Sequence, residues 1–189
     1  MALLILGLVL FLGAHTFTTL RGARTMAIGR LGEGPYKGVY SLVAAIGLVL
    51  IVWGFGVYRS GGYIQVWNPP YATFHPIALV LLWFAFVALT ATYAPPSRIK
   101  SILRHPMLVA VKAWALSHLL VNGDLGSMLL FGGLLAWAVY DRIALKRRGD
   151  AGAAAVGWSK NDAIVVAVGT LAYIAMFWLH DSLIGVAVN

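Results

Sequence analysis

Six apolar stretches of 16 to 21 residues, almost free of charge, follow one another along the chain at 2–20, 38–58, 75–93, 106–121, 125–141 and 162–180. A helix rises 1.5 Å per residue and needs about 20 residues, with about 17 the usual minimum, to cross the hydrocarbon of a bilayer. The pattern predicts an all-α, polytopic transmembrane helical bundle of about six spans, one membrane-embedded domain over 1–189. The fourth and fifth stretches are short, so the alternative is five spans plus a re-entrant pair turning at Asn122-Gly123-Asp124. Composition closes the soluble option. Charged residues are 11% of the chain, against about 25% in a soluble domain, too few to cover a globule. Proline marks several stretch edges (Pro69, Pro70, Pro76, Pro95, Pro96, Pro106), where a missing N–H does least harm. Ala113-xxx-Ser117 and Gly132-xxx-Ala136 are spacings that let helices approach closely.

The cations record a topology. Twelve of the fourteen Lys and Arg residues fall in or beside the connections after the first, third and fifth stretches. They include Arg21, Arg24, Arg30, Arg98, Lys100, Arg104, Arg142, Arg147 and Arg148, while Arg59 stands alone on the other side and Lys112 lies inside the fourth stretch. Positive flanks stay in the cytoplasm, so both termini are expected on the outer, periplasmic side. These short basic flanks with no nucleic-acid fold between them exclude a nucleic-acid partner, and leave the lipid bilayer as the first one. The first stretch has no positive residues before it and no small-residue cleavage site at Ala14-His15-Thr16, so it is expected to be retained as a span.

Polar side chains inside a span are costly and therefore candidates for function. His15 lies in the first stretch and His118 in the fourth, with Lys112 and His105 earlier in the same segment. His75 opens the third stretch and His180 ends the sixth. Asp124, Asp141, Asp162 and Asp181 are all edge residues, so no buried acid is available for a proton or cation path. There is no HExxH and no nucleophile elbow, and the chain has no Cys, which excludes thiolate metal sites, Fe–S clusters and disulfides. Histidine without carboxylate or thiolate, among Phe, Trp, Leu and Val, suits haem: imidazole ligates the iron and the macrocycle wants apolar walls. Arg21, Arg104 and Lys112 are placed to meet propionates. A lone intramembrane histidine can equally hydrogen-bond a neighbouring helix, His105 and His75 can act as interfacial anchors, and Lys112 can snorkel.

Gly13-Ala14-His15, the run Arg104-His105-Pro106-Met107 leading into Trp114-Ala115-Leu116-Ser117-His118-Leu119-Leu120-Val121-Asn122-Gly123-Asp124, and the closing Trp178-Leu179-His180 appear in that order. Together they resemble the NnrU family of bacterial inner-membrane proteins, across essentially the whole chain. The resemblance implies an inner-membrane location, a link to denitrification through nitric oxide and nitrite reduction, and a membrane nitric oxide or nitrite reductase as partner. It also implies kinship with the zeta-carotene cis–trans isomerase, which binds haem b through two histidines and exchanges one for a cysteine. Carried over, the axial ligands are His15 and His118; the residues themselves add Arg104 and Lys112 beside the cofactor and His105, His180 and His75 as lesser candidates. The exchanging cysteine falls on Ala115. Three roles follow: a haem b-binding redox protein, a haem-dependent isomerase of a polyene, or a non-catalytic accessory factor for a reductase. Depth divides the candidates. Counted from the cytoplasmic edge at 1.5 Å per residue, His15 is roughly 9 Å deep and His118 roughly 21 Å. An inner group (His15, His105, Lys112) and an outer group (His75, His118, His180) are then separate sites unless a tilt or a shifted helix brings both ligands to one iron.

Overall fold

The computed structural model describes residues 1–62, 64–186 and 188. They form α1 (Ala2–Thr19), α2 (Arg21–Leu31), α3 (Glu33–Ser60), α4 (Tyr71–Tyr93), α5 (Arg98–Leu103), α6 (Pro106–Val121), α7 (Leu125–Arg147) and α8 (Lys160–Ile184). Among the described residues the only β pairing is an isolated bridge between Gln65 and Asp124. Five helices (α1, α3, α4, α7, α8) are long and apolar enough to cross a membrane. Their outward faces are as greasy as their interiors: Val52, Val80, Leu171 and Trp178 are 65% exposed or more. A helix apolar all round belongs in lipid. α6 has only 16 residues, yet it joins the same two ends of the bundle as its neighbours.

The helices pack in the order α3–α1–α7–α6–α4–α8. Glycine makes the first seam. A Cβ on Gly7 would stand 2.6 Å from the Ile51 nitrogen, one on Gly47 2.7 Å from the Phe11 nitrogen, and one on Gly54 would overlap the Leu4 backbone. Gly169 of α8 meets Val87 of α4 in the same way. Of the two small-residue spacings in the sequence, Ala113 and Ser117 are buried, whereas Gly132 meets nothing within 4 Å and Ala136 faces outward.

Loop contacts define the two ends. At the basic end the Arg104 carbonyl accepts Ala153 N–H, Ser101 donates to the Ala154 carbonyl, Asp162 accepts Ile99 N–H, and Thr19 donates to Asp141. At the opposite end Val66 and Trp67 N–H both donate to the Gly123 carbonyl, and Leu125 N–H to the Ile64 carbonyl. Asp124 caps α7 and a Ser159–Asp162 capping box starts α8, satisfying amide donors that water cannot reach.

The structure extends several stretches. α2 is a helix where only a basic connection is expected from the residues, although it buries no residue. α3 begins at Glu33, after Gly32 turns the chain at φ +84°, and its first turn carries the Glu33–Lys37 ion pair (2.7 Å). α7 continues past Asp141 to Arg147, because charge is tolerated once a helix clears the hydrocarbon. Pro76 lies inside α4 rather than at its edge, close enough to the start that one helical bond is lost.

Candidate functional site: two aromatic-caged histidines

His15 and His118 are built alike. Each follows an aromatic residue by four positions, and each Nδ1 donates to that residue's backbone carbonyl: His15 to Phe11 at 2.7 Å, His118 to Trp114 at 2.8 Å. A carbonyl only accepts, so Nδ1 carries the proton and Nε2 keeps a lone pair. An imidazole fixed through one nitrogen to a backbone carbonyl keeps the other available as an acceptor or a ligand. The helical spacing also brings the rings into tilted contact, with centroids 4.2 Å apart at 32° for Phe11–His15 and 5.0 Å at 53° for Trp114–His118.

α7 completes both cages with different residues. Trp137 meets His15 edge-on at 5.2 Å, and Tyr40 of α3 closes the far side at 5.6 Å. Phe131 stacks on His118 at 4.4 Å and 25°. Phe131 is itself part of the buried cluster of Leu4, Leu8, Ile51, Ala115 and Leu130. Phe131 and Trp137 are six residues apart on one helix, an offset of about 9 Å along the axis and about 120° around it. The structure therefore keeps the two imidazoles in separate cages on α7, with His118 farther from the basic end, much as the depth count anticipates.

Polar satisfaction differs between the cages. The Ser117 hydroxyl, fully buried beside His118, donates to the Trp114 carbonyl at 2.7 Å. The indole N–H of Trp137, which contacts His15, is buried without a partner, as is the hydroxyl of Tyr36, one turn before Tyr40 on α3. Buried donors of this kind are normally satisfied. Arg142, one turn beyond Trp137, also has a buried, unpartnered Nη1. Lys112 is half-buried within electrostatic reach of Arg142.

The remaining candidates have structural tasks. His105 stands at the N-cap position of α6 without a side-chain capping bond, and its Nε2 lies 3.7 Å from the Asp150 carboxylate, tying down the segment before α8. His75 stacks on Tyr71 at 4.4 Å and donates to the Val188 carbonyl at 2.8 Å, while His180 Nδ1 donates to the Val186 carbonyl at 2.7 Å. Both hold the C-terminal tail. Arg104 is exposed, adopts φ +59°, and faces the 151–155 segment. Ala115, where the resemblance would put an exchanging cysteine, is fully buried in the cluster with Leu4 and Leu8. Among the described residues no three His, Asp or Glu side chains gather into a metal cluster.

Sequence reasoning found the two histidines but missed Phe131, Trp137, Tyr40, Tyr36 and Arg142. The aromatic-xxx-His spacing was available as a signal for half of each cage, and recurs at Tyr71/His75. The α7 half depends on tertiary register and leaves no local mark.

A family model described as NnrU protein matches residues 3–188. No curated protein and no solved structure matches the chain.

Proposed function

The chain belongs to the NnrU family, and on that footing we propose that it is a bacterial inner-membrane protein that binds haem b through histidine and serves nitric oxide and nitrite reduction. The observation that carries the reading is the pair of cages: two half-buried imidazoles with Nδ1 committed and Nε2 free, walled by aromatic rings. Apolar walls, a fixed tautomer and no competing carboxylate are what an axial haem ligand needs. The residues fit such a group one histidine at a time. His118, against the buried core, would be the first ligand. His15 joins it on the same iron only if α1 and α6 close the offset of about 9 Å along α7. Lys112 and Arg142 offer cations to propionates, and Trp137 N–H is a spare donor toward any polar group near His15.

Haem held there supplies one-electron redox chemistry and a site for a small diatomic molecule. The chain's own residues hold the imidazole orientation, exclude water and keep the pocket apolar. In this reading α6 is a sixth, short span, and the cation bias then favours both termini outside and the basic end in the cytoplasm. The process and a reductase partner rest on the family resemblance alone. At Ala115 there is a buried methyl and no sulfur, which gives the polyene-isomerase reading no support of its own.

Absorption spectra of the protein purified in detergent from haem-replete cells test the proposal. A Soret band is expected, and His118→Ala should abolish it or reduce it several-fold. If both imidazoles ligate, the ferric spectrum is low-spin and His15→Ala turns it high-spin. If His118 ligates alone, His15→Ala leaves it unchanged. No band in the unaltered protein, or a band that survives His15→Ala and His118→Ala together, overturns the reading. Copurification with a nitric oxide or nitrite reductase tests the accessory role.

A further inference from the structure

A cleft of about 490 Å³ opens at the basic end, between the α1–α2 junction and the last two turns of α7. Arg21, Arg147 and Arg148 line it, with Leu20, Tyr140 and Ile143 as its apolar wall. Arg148 Nη1 donates to the Thr19 carbonyl at 3.0 Å and so joins the two walls, with the rest of its guanidinium free. Tyr140 and Ile143 are 42% and 45% exposed on the outward face of α7, so the cleft is open toward lipid at the level where that helix leaves the hydrocarbon.

Three guanidiniums in one cleft need anions, and the chain's own are engaged elsewhere. Glu33 pairs with Lys37. Asp141 accepts the Thr19 hydroxyl at 2.8 Å, on the α1 seam beside the cleft. Asp150 accepts Gly152 N–H and faces His105. Asp162 accepts the Ile99 and Ser159 amides. Asp124 and Asp181 lie near the opposite end. Among the described residues no carboxylate pairs with Arg21, Arg147 or Arg148. We infer that this cleft binds the phosphate head group of an anionic phospholipid, with the acyl chains running down the Tyr140–Ile143 face of α7. Arginine forks match phosphate oxygens, and basic pockets between transmembrane helices on the cytoplasmic side hold such head groups. The apolar wall and the opening toward lipid favour a lipid phosphate over a soluble one.

Native mass spectrometry of the full chain with added phosphatidylglycerol, cardiolipin or phosphatidylcholine tests this. Arg21 and Arg147 are exposed and make no hydrogen bond in the structure, so Arg21→Gln/Arg147→Gln leaves the fold intact. This variant is expected to lose anionic-lipid retention by roughly tenfold or more. Arg24→Gln/Arg30→Gln, which removes the same charge from α2 outside the cleft, should change it less than about twofold. Phosphatidylcholine should not be retained, and millimolar inorganic phosphate should not displace the lipid. Equal losses in the two variants would mean diffuse attraction to a basic face and overturn the site. Displacement by inorganic phosphate would make it a soluble-anion site and overturn the lipid assignment, as would equal retention of phosphatidylcholine.

Discussion

The cage around His15 and the cage around His118 share one local device and differ in what α7 adds to it. On both helices an aromatic residue four positions back fixes the imidazole by a tilted ring contact and by its carbonyl. Around His118 everything else is settled: Phe131 stacks, Ser117 is satisfied, and the buried cluster encloses them. Beside His15 the Trp137 Nε1 is buried with nothing to bond, and so is Tyr36 Oη, one turn before Tyr40 on α3. A sequence motif can orient a ligand, but only tertiary neighbours decide whether its pocket is complete. His118 sits in a finished core, whereas His15 sits in a pocket with donors to spare.

The largest effect comes from breaking the seam on which both cages rest, since Leu4 and Leu8 of α1 also pack in the cluster around Phe131. His15 depends on the glycine seam that seats α1 on α3, and a side chain at Gly54 would overlap the Leu4 backbone. Gly54→Leu should prevent α1 from docking and leave little folded protein, because backbone cannot yield as a flexible side chain can. Size-exclusion profiles and thermal unfolding in detergent check this. Monodisperse protein with unaltered stability would show the seam is not what holds α1. Next comes Phe131→Ala, which empties the stacking face of His118 within the main cluster. The expected cost is about 3 kcal/mol, the usual scale for deleting a buried phenyl ring, read from thermal or denaturant unfolding in micelles. Loss of spectral signatures tied to His118, with those of His15 unchanged, would confirm that the cages are independent.

How much of this was legible in the sequence follows from what each feature depends on. The long apolar helices were readable, because covering a span with apolar residues is a local requirement. α2 was not: Arg21–Leu31 mixes Arg, Gly and Thr without an apolar stripe, and it is held only by α1 and α3 on either side. Charge does not stop these helices: α3 starts at Glu33 and α7 runs on beyond Asp141, so their ends are not marked by the limits of the apolar runs. Both histidines were found because a polar residue in an apolar run stands out. Their α7 partners were hidden because Phe131 and Trp137 look like any other aromatic residues of a membrane helix until register is known.

A smaller test sharpens the contrast in polar satisfaction. Ser117→Ala removes a fully buried hydroxyl from the His118 cage, together with its bond to the Trp114 carbonyl. That carbonyl still receives the His118 Nδ1 proton at 2.8 Å, so the loss should stay near the net worth of one hydrogen bond, about 1 kcal/mol. Unfolding of the variant in detergent measures it. A loss several times larger would mean that Ser117 holds the His118 ring rather than merely supporting it.

The smallest effect carries the most information about His15. Trp137→Phe keeps an aromatic ring against the imidazole and deletes only the indole N–H and one ring's worth of area. In the structure as it stands that N–H has no partner, and an unsatisfied buried donor costs about 1–3 kcal/mol. Its removal should offset the lost contact and leave stability within about 0.5 kcal/mol of the starting value. The same substitution would be costly if the donor were in use. A destabilised Trp137→Phe protein, measured by thermal unfolding of material prepared with and without haem, would therefore show that the N–H has found an acceptor. If the cost appears only in the haem-loaded protein, the acceptor belongs to the cofactor, and the spare donor beside His15 is part of the site. If it appears in both, the acceptor is water or lipid, and the contrast between the two cages narrows to their depth along α7.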